Sequence, residues 1–152
     1  MNQETYLYNT IDPKKYRFTS EGKRTIVKLV EFTPTGQPNI YNLGFGDLLP
    51  DHKMDDKTIS DNGDMARVFA TVIQIVIDFT AKYPFLKIFF SGSSPGRTKM
   101  YCRILKTHYA AFSPEFRITA LIEHESEIIE VEYDPIFFKQ YLAFFIERKT
   151  YI

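Results

Sequence analysis

The residues of this chain that could best bind an anion lie in "SGSSPGRTKMYCRIL", from Ser91 to Leu105. This stretch follows the apolar run "FLKIFF", so it joins a predicted strand to a predicted helix. Ser94 and Pro95 are typical of a helix start, with serine as the N-cap and proline in the first turn. Backbone N–H groups at a helix start bind phosphate or carboxylate. We therefore take the strand–helix junction at residues 92–98 as the candidate anion-binding site.

Arg97 is the least ordinary residue of this junction. A cation near a helix N-terminus opposes the helix dipole, at a cost of about 0.3–1 kcal/mol. At about 100° per residue, Arg97 projects with Tyr101 toward the protein interior rather than toward water. An inward arginine needs a carboxylate, carbonyl groups or a bound anion as its partner.

The sequence leaves two kinds of partner open for Arg97. One is a buried acid, either Asp47 or Asp64, which would lock the helix to the sheet. The other is a bound phosphate or carboxylate, held by Arg97 together with nearby hydroxyl groups. Those hydroxyl groups belong to Ser93, Ser94 and Thr98. A nucleotide P-loop is disfavoured, because the GxxxxGK[ST] pattern is absent and Pro95 has no N–H to donate.

The charges of the chain are balanced but unevenly distributed. Nineteen basic and nineteen acidic side chains cancel, which argues against a protein held to nucleic acid by overall charge. Lys99, Arg103 and Lys106 nevertheless share the helix face opposite Arg97. They form either a basic patch for nucleic acid or an ordinary solvated surface.

The other reactive side chains do not form a known catalytic or metal-binding pattern. His52, His108 and His124 lack metal-ligand spacing, and Cys102 has no histidine partner placed beside it. No G-x-S-x-G, H-E-x-x-H or G-x-G-x-x-G motif occurs. We expect no catalytic residue, no metal site and no cofactor.

The length and composition predict one domain over residues 1–152. A single cysteine allows no intrachain disulfide, and the first residues lack the features of a signal peptide. The most apolar run, "VFATVIQIVIDF", is too short to span a bilayer. We expect a cytoplasmic protein with no membrane contact.

The pattern of apolar residues predicts an α+β fold in the order β-β-(β)-α-β-α-β-β-α. Two hairpins are predicted, the first from "KRTIVKLVEFTPTG" and "NIYNLGFGD", with "YRFTS" as an added edge strand. The second is "FRITALIEHESEIIEVEYD", turning at "HES". "FLKIFF" is predicted to be a central strand covered on both faces.

About three helices complete this predicted order. The first runs from residue 64 to 82 and the second from about residue 95 to 109. The third is predicted in "PIFFKQYLAFFIERK", opened by Asp134 and Pro135. Antiparallel hairpins with helices gathered on one side define the α+β class.

Three segments resemble a family of small uncharacterised proteins, chiefly from Bacteroidetes-type bacteria. They are "IYNLGFGD", "SDNGDMARVFATVIQIVIDFTAKYP" and "SGSSPGRTKMYCRIL". The family pattern is YNLxFGD, then NGD, then GSTPxRTxLY; Ser94 replaces its threonine and Gly96 its alanine. This family has no assigned activity, so the resemblance identifies no catalytic residue. It implies that the shared pattern includes Gly44, Asp47, Asn62, Gly63, Asp64, Gly92, Arg97, Thr98 and Tyr101.

Three functions are compatible with these observations. The first is a non-enzymatic binding or interaction domain with an anion-accepting corner at residues 92–98, for the phosphate of a nucleic acid or nucleotide or for a carboxylate on a partner protein. The second is an enzyme for a phosphorylated or nucleic-acid substrate, with Asp47, Asp64 and Arg97 in one cleft. The third is a protein-interaction partner in a bacterial two-protein defence or toxin–antitoxin pair, or a homodimer, with the aromatic C-terminal helix as its interface.

Overall fold

The computed structural model describes residues 4–55, 62–92, 94–136 and 140–149. Within these residues the chain forms nine strands and two helices. The first half contains β1 (Tyr8–Asp12), β2 (Lys15–Glu21), β3 (Thr25–Pro34), β4 (Ile40–Leu48), β5 (Met54–Asp55) and α1 (Met65–Lys82). The second half contains β6 (Lys87–Phe90), α2 (Pro95–Phe112), β7 (Phe116–His124), β8 (Glu127–Glu132) and β9 (Ala143–Arg148).

All nine strands belong to one sheet with the order β1-β2-β3-β4-β6-β9-β7-β8, and β5 pairs with β4 beside this path. β4 and β6 are parallel, whereas the other pairs are antiparallel. A parallel pair requires a crossover connection, and α1 lies in that connection. α2 then leads from β6 to β7, and β9 inserts between these two strands.

The core lies between the two helices and one face of the sheet. α1 buries apolar residues at three- and four-residue steps, among them Val72, Val76 and Phe79. The Phe79 ring stacks on Phe32 of β3, with 3.8 Å between the ring centroids. On the central strands, Ile88 and Phe144 alternate onto the same face and are fully buried.

The opposite face of the sheet carries rings and ion pairs. Phe89 and Phe145 are neighbours there, half-buried, with centroids 5.2 Å apart. Lys87 bonds Glu130 at 3.0 Å on this face. The prediction that "FLKIFF" is covered on both faces was therefore too strong. β6 is central, but the two helices among the described residues both pack on the other face.

Much of the predicted order is confirmed. β3 pairs with β4, and β7 with β8, as antiparallel hairpins. The β7–β8 turn places Glu125 and Ser126 at φ values of 51° and 66°, which is typical of a two-residue type I′ turn. The predicted edge strand "YRFTS" forms β2, but it is not at the edge because β1 pairs with its outer side.

The predicted third helix is wrong, and the mixed fold has a larger sheet and fewer helices than expected. Residues 143–148 form β9, and residues 137–139 of the predicted helix lie outside the described part. A short apolar run can form either a buried strand or a segment of a buried helix. The periodicity of its apolar residues does not distinguish the two. Asp134 accepts a hydrogen bond from the Ile136 N–H at 2.9 Å, which forms a turn where a helix start was expected.

Neither helix in the described part of the chain combines the length and the apolar character needed to cross a membrane.

Two glycines of β4 provide a matched test of the β5 pairing. A Cβ at Gly46 would lie 2.3 Å from the Asp55 carbonyl oxygen, whereas at Gly44 the nearest atom is 3.6 Å away. We expect Gly46→Ala to lower the free energy of unfolding by about 1–3 kcal/mol, because β5 must shift. Gly44→Ala should cost less. Urea denaturation measures both, and equal losses would contradict this packing of β5.

Candidate functional site

A pocket of about 330 Å³ opens at one edge of the sheet, between the end of β4 and the starts of both helices. Its polar lining residues are Lys28, Asp47, Asn62, Asp64 and Arg97. Its apolar lining residues include Phe45, Met65, Phe69, Met100 and Tyr101. The pocket thus brings together Asp47, Asp64 and Arg97, three of the residues singled out from the sequence.

The parallel pair explains why these residues meet. Because β4 and β6 run in the same direction, they end at the same edge of the sheet. α1 follows β4 and α2 follows β6, so each helix starts at that edge. Residues distant in sequence are thereby placed around one crevice, outside the carboxyl ends of parallel strands.

Arg97 is buried at the start of α2, with 7% of its surface exposed. Gly92 permits this close packing, because a Cβ there would lie 2.5 Å from the Arg97 Cβ and 2.3 Å from the Thr98 nitrogen. The inward orientation predicted from the helical angle is therefore confirmed. Arg97 faces the pocket instead of the solvent.

The hydroxyl groups of the junction serve the helix start. Ser94 is the N-cap, and its Oγ accepts a hydrogen bond from the Arg97 N–H at 3.3 Å. The Thr98 Oγ1 accepts from the Gly92 N–H at 3.0 Å and donates to the Ser94 carbonyl at 3.3 Å. Ser93 lies outside the described residues. Of the three described residues of the predicted corner, Ser94, Arg97 and Thr98, it is Arg97 that lines the pocket.

Lys28 is a site residue that the sequence analysis missed. It lies opposite Asp47 in the β3–β4 pair, and its Nζ donates a short hydrogen bond to the Asp47 Oδ1. The Lys28 side chain is 8% exposed, and its Nζ lies 5.8 Å from the Phe45 ring centroid. The sequence does contain a signal for it. Residues two apart in a strand lie on the same face, so Lys28 shares the inward face of β3 with the buried Val30 and Phe32.

Asp64 is held as a carboxylate at the start of α1. It accepts hydrogen bonds from the Tyr6 hydroxyl and the Ser20 hydroxyl, each at 2.5 Å. Burial alone would raise the pKa of Asp64, but the hydrogen bonds from Ser20 and Tyr6, aided by the charge of Lys28, outweigh burial and lower it. Asp64 is therefore ionised at neutral pH.

The "NGD" segment links this site to the β2–β3 turn. Asn62 accepts a hydrogen bond from the Arg24 N–H at 2.7 Å and donates to the Arg24 carbonyl at 2.7 Å and to Ser20 at 2.9 Å. Gly63 has φ = 82°, a left-handed conformation that favours glycine. These contacts hold Asp64 against β2 and explain the segment structurally.

The basic face of α2 points away from the pocket. Lys99, Arg103 and Lys106 are all exposed, as their helical spacing predicted. α2 contains four basic residues and no acidic residue, counting Arg97. This face is separate from the pocket residues.

Two further side chains of α2, His108 and Cys102, are of types that can take part in catalysis, but their surroundings do not activate them. Burial lowers the pKa of His108, which is half-buried and neutral at physiological pH. Burial also raises the pKa of the Cys102 thiol, so little thiolate forms. Within the described ranges, no group of three or more histidine, cysteine or acidic side chains is placed to hold a metal ion.

The pKa of Asp64 provides a test of its two donors. Because its pKa in the folded state is below the ordinary value of 3.8, its contribution to stability is present above pH 3.8 and is lost as the pH falls through the folded value. Tyr6→Phe removes one hydrogen-bond donor, so the pKa of Asp64 in the folded protein should rise. The protein should then lose less stability on acidification. NMR titration of the carboxyl group measures the shift. Tyr8→Phe is the control, and an unchanged pKa in Tyr6→Phe would contradict this assignment.

Comparison with known proteins places the chain in a family but attaches no activity to it. No curated protein and no solved structure matches the chain. Residues 2–149, nearly the whole chain, match the model of a family of unknown function, DUF6934. The sequence and the site described above therefore belong to a member of the DUF6934 family.

Proposed function

We propose that this protein is a non-enzymatic binding domain for a small ligand that carries a phosphate or carboxylate group. The observation that carries this proposal is Arg97, a buried guanidinium that lines a pocket of about 330 Å³ together with Lys28. A guanidinium offers five N–H donors, and one carboxylate occupies two of them in a bidentate pair. Arg97 can therefore bind a ligand anion while it keeps a protein partner.

The helix starts support an anion at the same place. α1 and α2 both begin at the pocket, and residues of their first turns line it. A helix N-terminus carries partial positive charge and favours anions. The N-termini of two helices and two basic side chains thus all favour an anion in this pocket.

The size and charge of the pocket favour a small ligand over a polymer. Its volume lies near the lower end of the range for small-molecule sites, about 300–1,000 Å³. Two basic residues, Lys28 and Arg97, are balanced by Asp47 and Asp64, so the pocket has no net formal charge. Long-range attraction of a polyanion is then weak. Its aromatic and methionine walls suit the uncharged part of an organic ligand.

The two carboxylates favour binding over catalysis. A carboxylate is most effective as a general base when its pKa is raised toward the working pH. Asp47 is paired with Lys28, and the hydrogen bonds to Asp64 lower its pKa. Turnover of a phosphorylated compound by the purified protein would reverse this preference.

Met65 provides the sharpest test, because it lines the pocket and is 44% exposed. Met65→Lys adds a positive charge at the mouth of the pocket and Met65→Glu a negative one, with little change of volume. We expect phosphate or acetate to bind about two- to fivefold more tightly to Met65→Lys than to wild type, and correspondingly more weakly to Met65→Glu. Calorimetric titration at low salt measures the affinities.

The control for this charge pair is Arg103→Gln, which changes charge on the outward face of α2 and should leave the affinity unchanged. The opposite order of the two Met65 variants would mean a cationic ligand. Absence of phosphate and acetate binding to wild type, with no anion found by mass spectrometry of the purified protein, would overturn the proposal.

Nucleic acid is a second candidate ligand, because α2 carries only basic charges on its exposed face. Lys99, Arg103 and Lys106 would contact phosphates, and retention of an oligonucleotide would then fall steeply with salt. We expect Arg103→Glu to weaken this retention, whereas Met65→Glu, at the pocket, should not. Absence of retention at low salt would remove this candidate.

The third candidate, a partner in a bacterial two-protein pair, has lost the interface on which it rested. Its proposed interface was an aromatic C-terminal helix, and that segment instead contains β9 at the centre of the sheet. Light scattering that finds a strict monomer would count against the homodimer form of this candidate.

A further inference from the structure

A second cavity lies directly behind the pocket, between α1, α2 and the sheet, with a volume of about 60 Å³. Its lining is apolar, apart from the tyrosine that it shares with the pocket. The residues that line this cavity alone include Val72, Val76, Leu105, Phe112 and Ile146. A cavity of this kind stays dry and takes up apolar groups.

Three aromatic residues separate the cavity from the pocket. Phe45, Phe69 and Tyr101 each line both spaces. The Phe69 ring centroid lies 6.0 Å from that of Phe45 and 5.9 Å from that of Tyr101, in tilted and edge-on arrangements. These are ordinary distances for packed aromatic pairs, so a ligand chain that enters the cavity must turn the rings about their side-chain torsions.

We infer that the ligand is amphipathic, with its anionic group beside Arg97 and a short apolar chain that passes the Phe69 and Tyr101 rings into the cavity. This inference rests on the proposed function and names its ligand class: short-chain organic acids or short alkyl phosphates and phosphonates. The polar pocket recognises the head, and the cavity behind it selects the tail.

The cavity volume limits the length of the tail. An apolar cavity of about 150 Å³ accepts benzene, with six carbons, so about 60 Å³ accepts roughly two to three carbons. The cavity therefore excludes long fatty acyl chains. Each methylene that becomes buried should raise the affinity about fourfold.

The experiment is a calorimetric titration of the full chain with two series of unbranched ligands. One series runs from inorganic phosphate through methyl- to octylphosphonate, and the other from formate to octanoate. We expect the affinity to rise about fourfold per added carbon over part of one series and then to level off or fall. The position of this maximum is the measured quantity.

Two variants should move the maximum in opposite directions. Val76→Ile adds one carbon to the cavity lining and should shorten the preferred chain, whereas Phe112→Leu enlarges the cavity and should lengthen it. Val131→Ile adds the same group on β8, outside both spaces, and should leave the maximum unchanged. If one cavity variant fails to fold, the other still tests the direction.

The outcomes separate the two proposals. Equal affinity for all members of a series, the shortest included, would overturn the amphipathic ligand and leave the anion-binding pocket in place. A maximum that neither variant moves would also overturn it, because the tail would lie elsewhere. Absence of binding by every member of both series would overturn both proposals.

Discussion

The parallel pairing of β4 with β6 is the constraint on which the rest of the structure depends. Two parallel neighbours cannot be joined by a tight turn, so the chain must cross over through α1. The same pairing ends both strands at one edge and starts both helices there. The helices then cover a single face, the core fills the space beneath them, and the pocket forms where they begin.

The pocket contains charges that are costly to bury, and three of them, Lys28, Asp47 and Asp64, are compensated by identified neighbours. Lys28 is paired with Asp47 across the β3–β4 ladder. Asp64 receives hydroxyl donors from Tyr6 and Ser20, contributed by the N-terminal segment and by β2. An uncompensated charge at such depth would cost several kcal/mol, so these contacts set the geometry of the site as well as its charge.

The helix starts and the hairpins were predictable because their signals are local. Ser94 and Pro95 begin α2, and the apolar steps of α1 run from residue 65 to 82, as the sequence indicates. The inward position of Arg97 followed from helical geometry alone. β9 was not predictable in this way, because its apolar residues match a buried helix equally well and its two neighbours, β6 and β7, are distant in the chain.

The sequence by itself therefore determined the α+β class, both helices, the two hairpins and the inward direction of Arg97. These depend on caps, turns and periodicity, which act over a few residues. The tertiary structure decided that Arg97 meets Lys28, Asp47 and Asp64 in one pocket, and that an apolar cavity lies behind it. Strand order and the packing of one helix on another set these distances. These distances depend on contacts between residues that are far apart in the chain, so they cannot be read from any short stretch of the sequence.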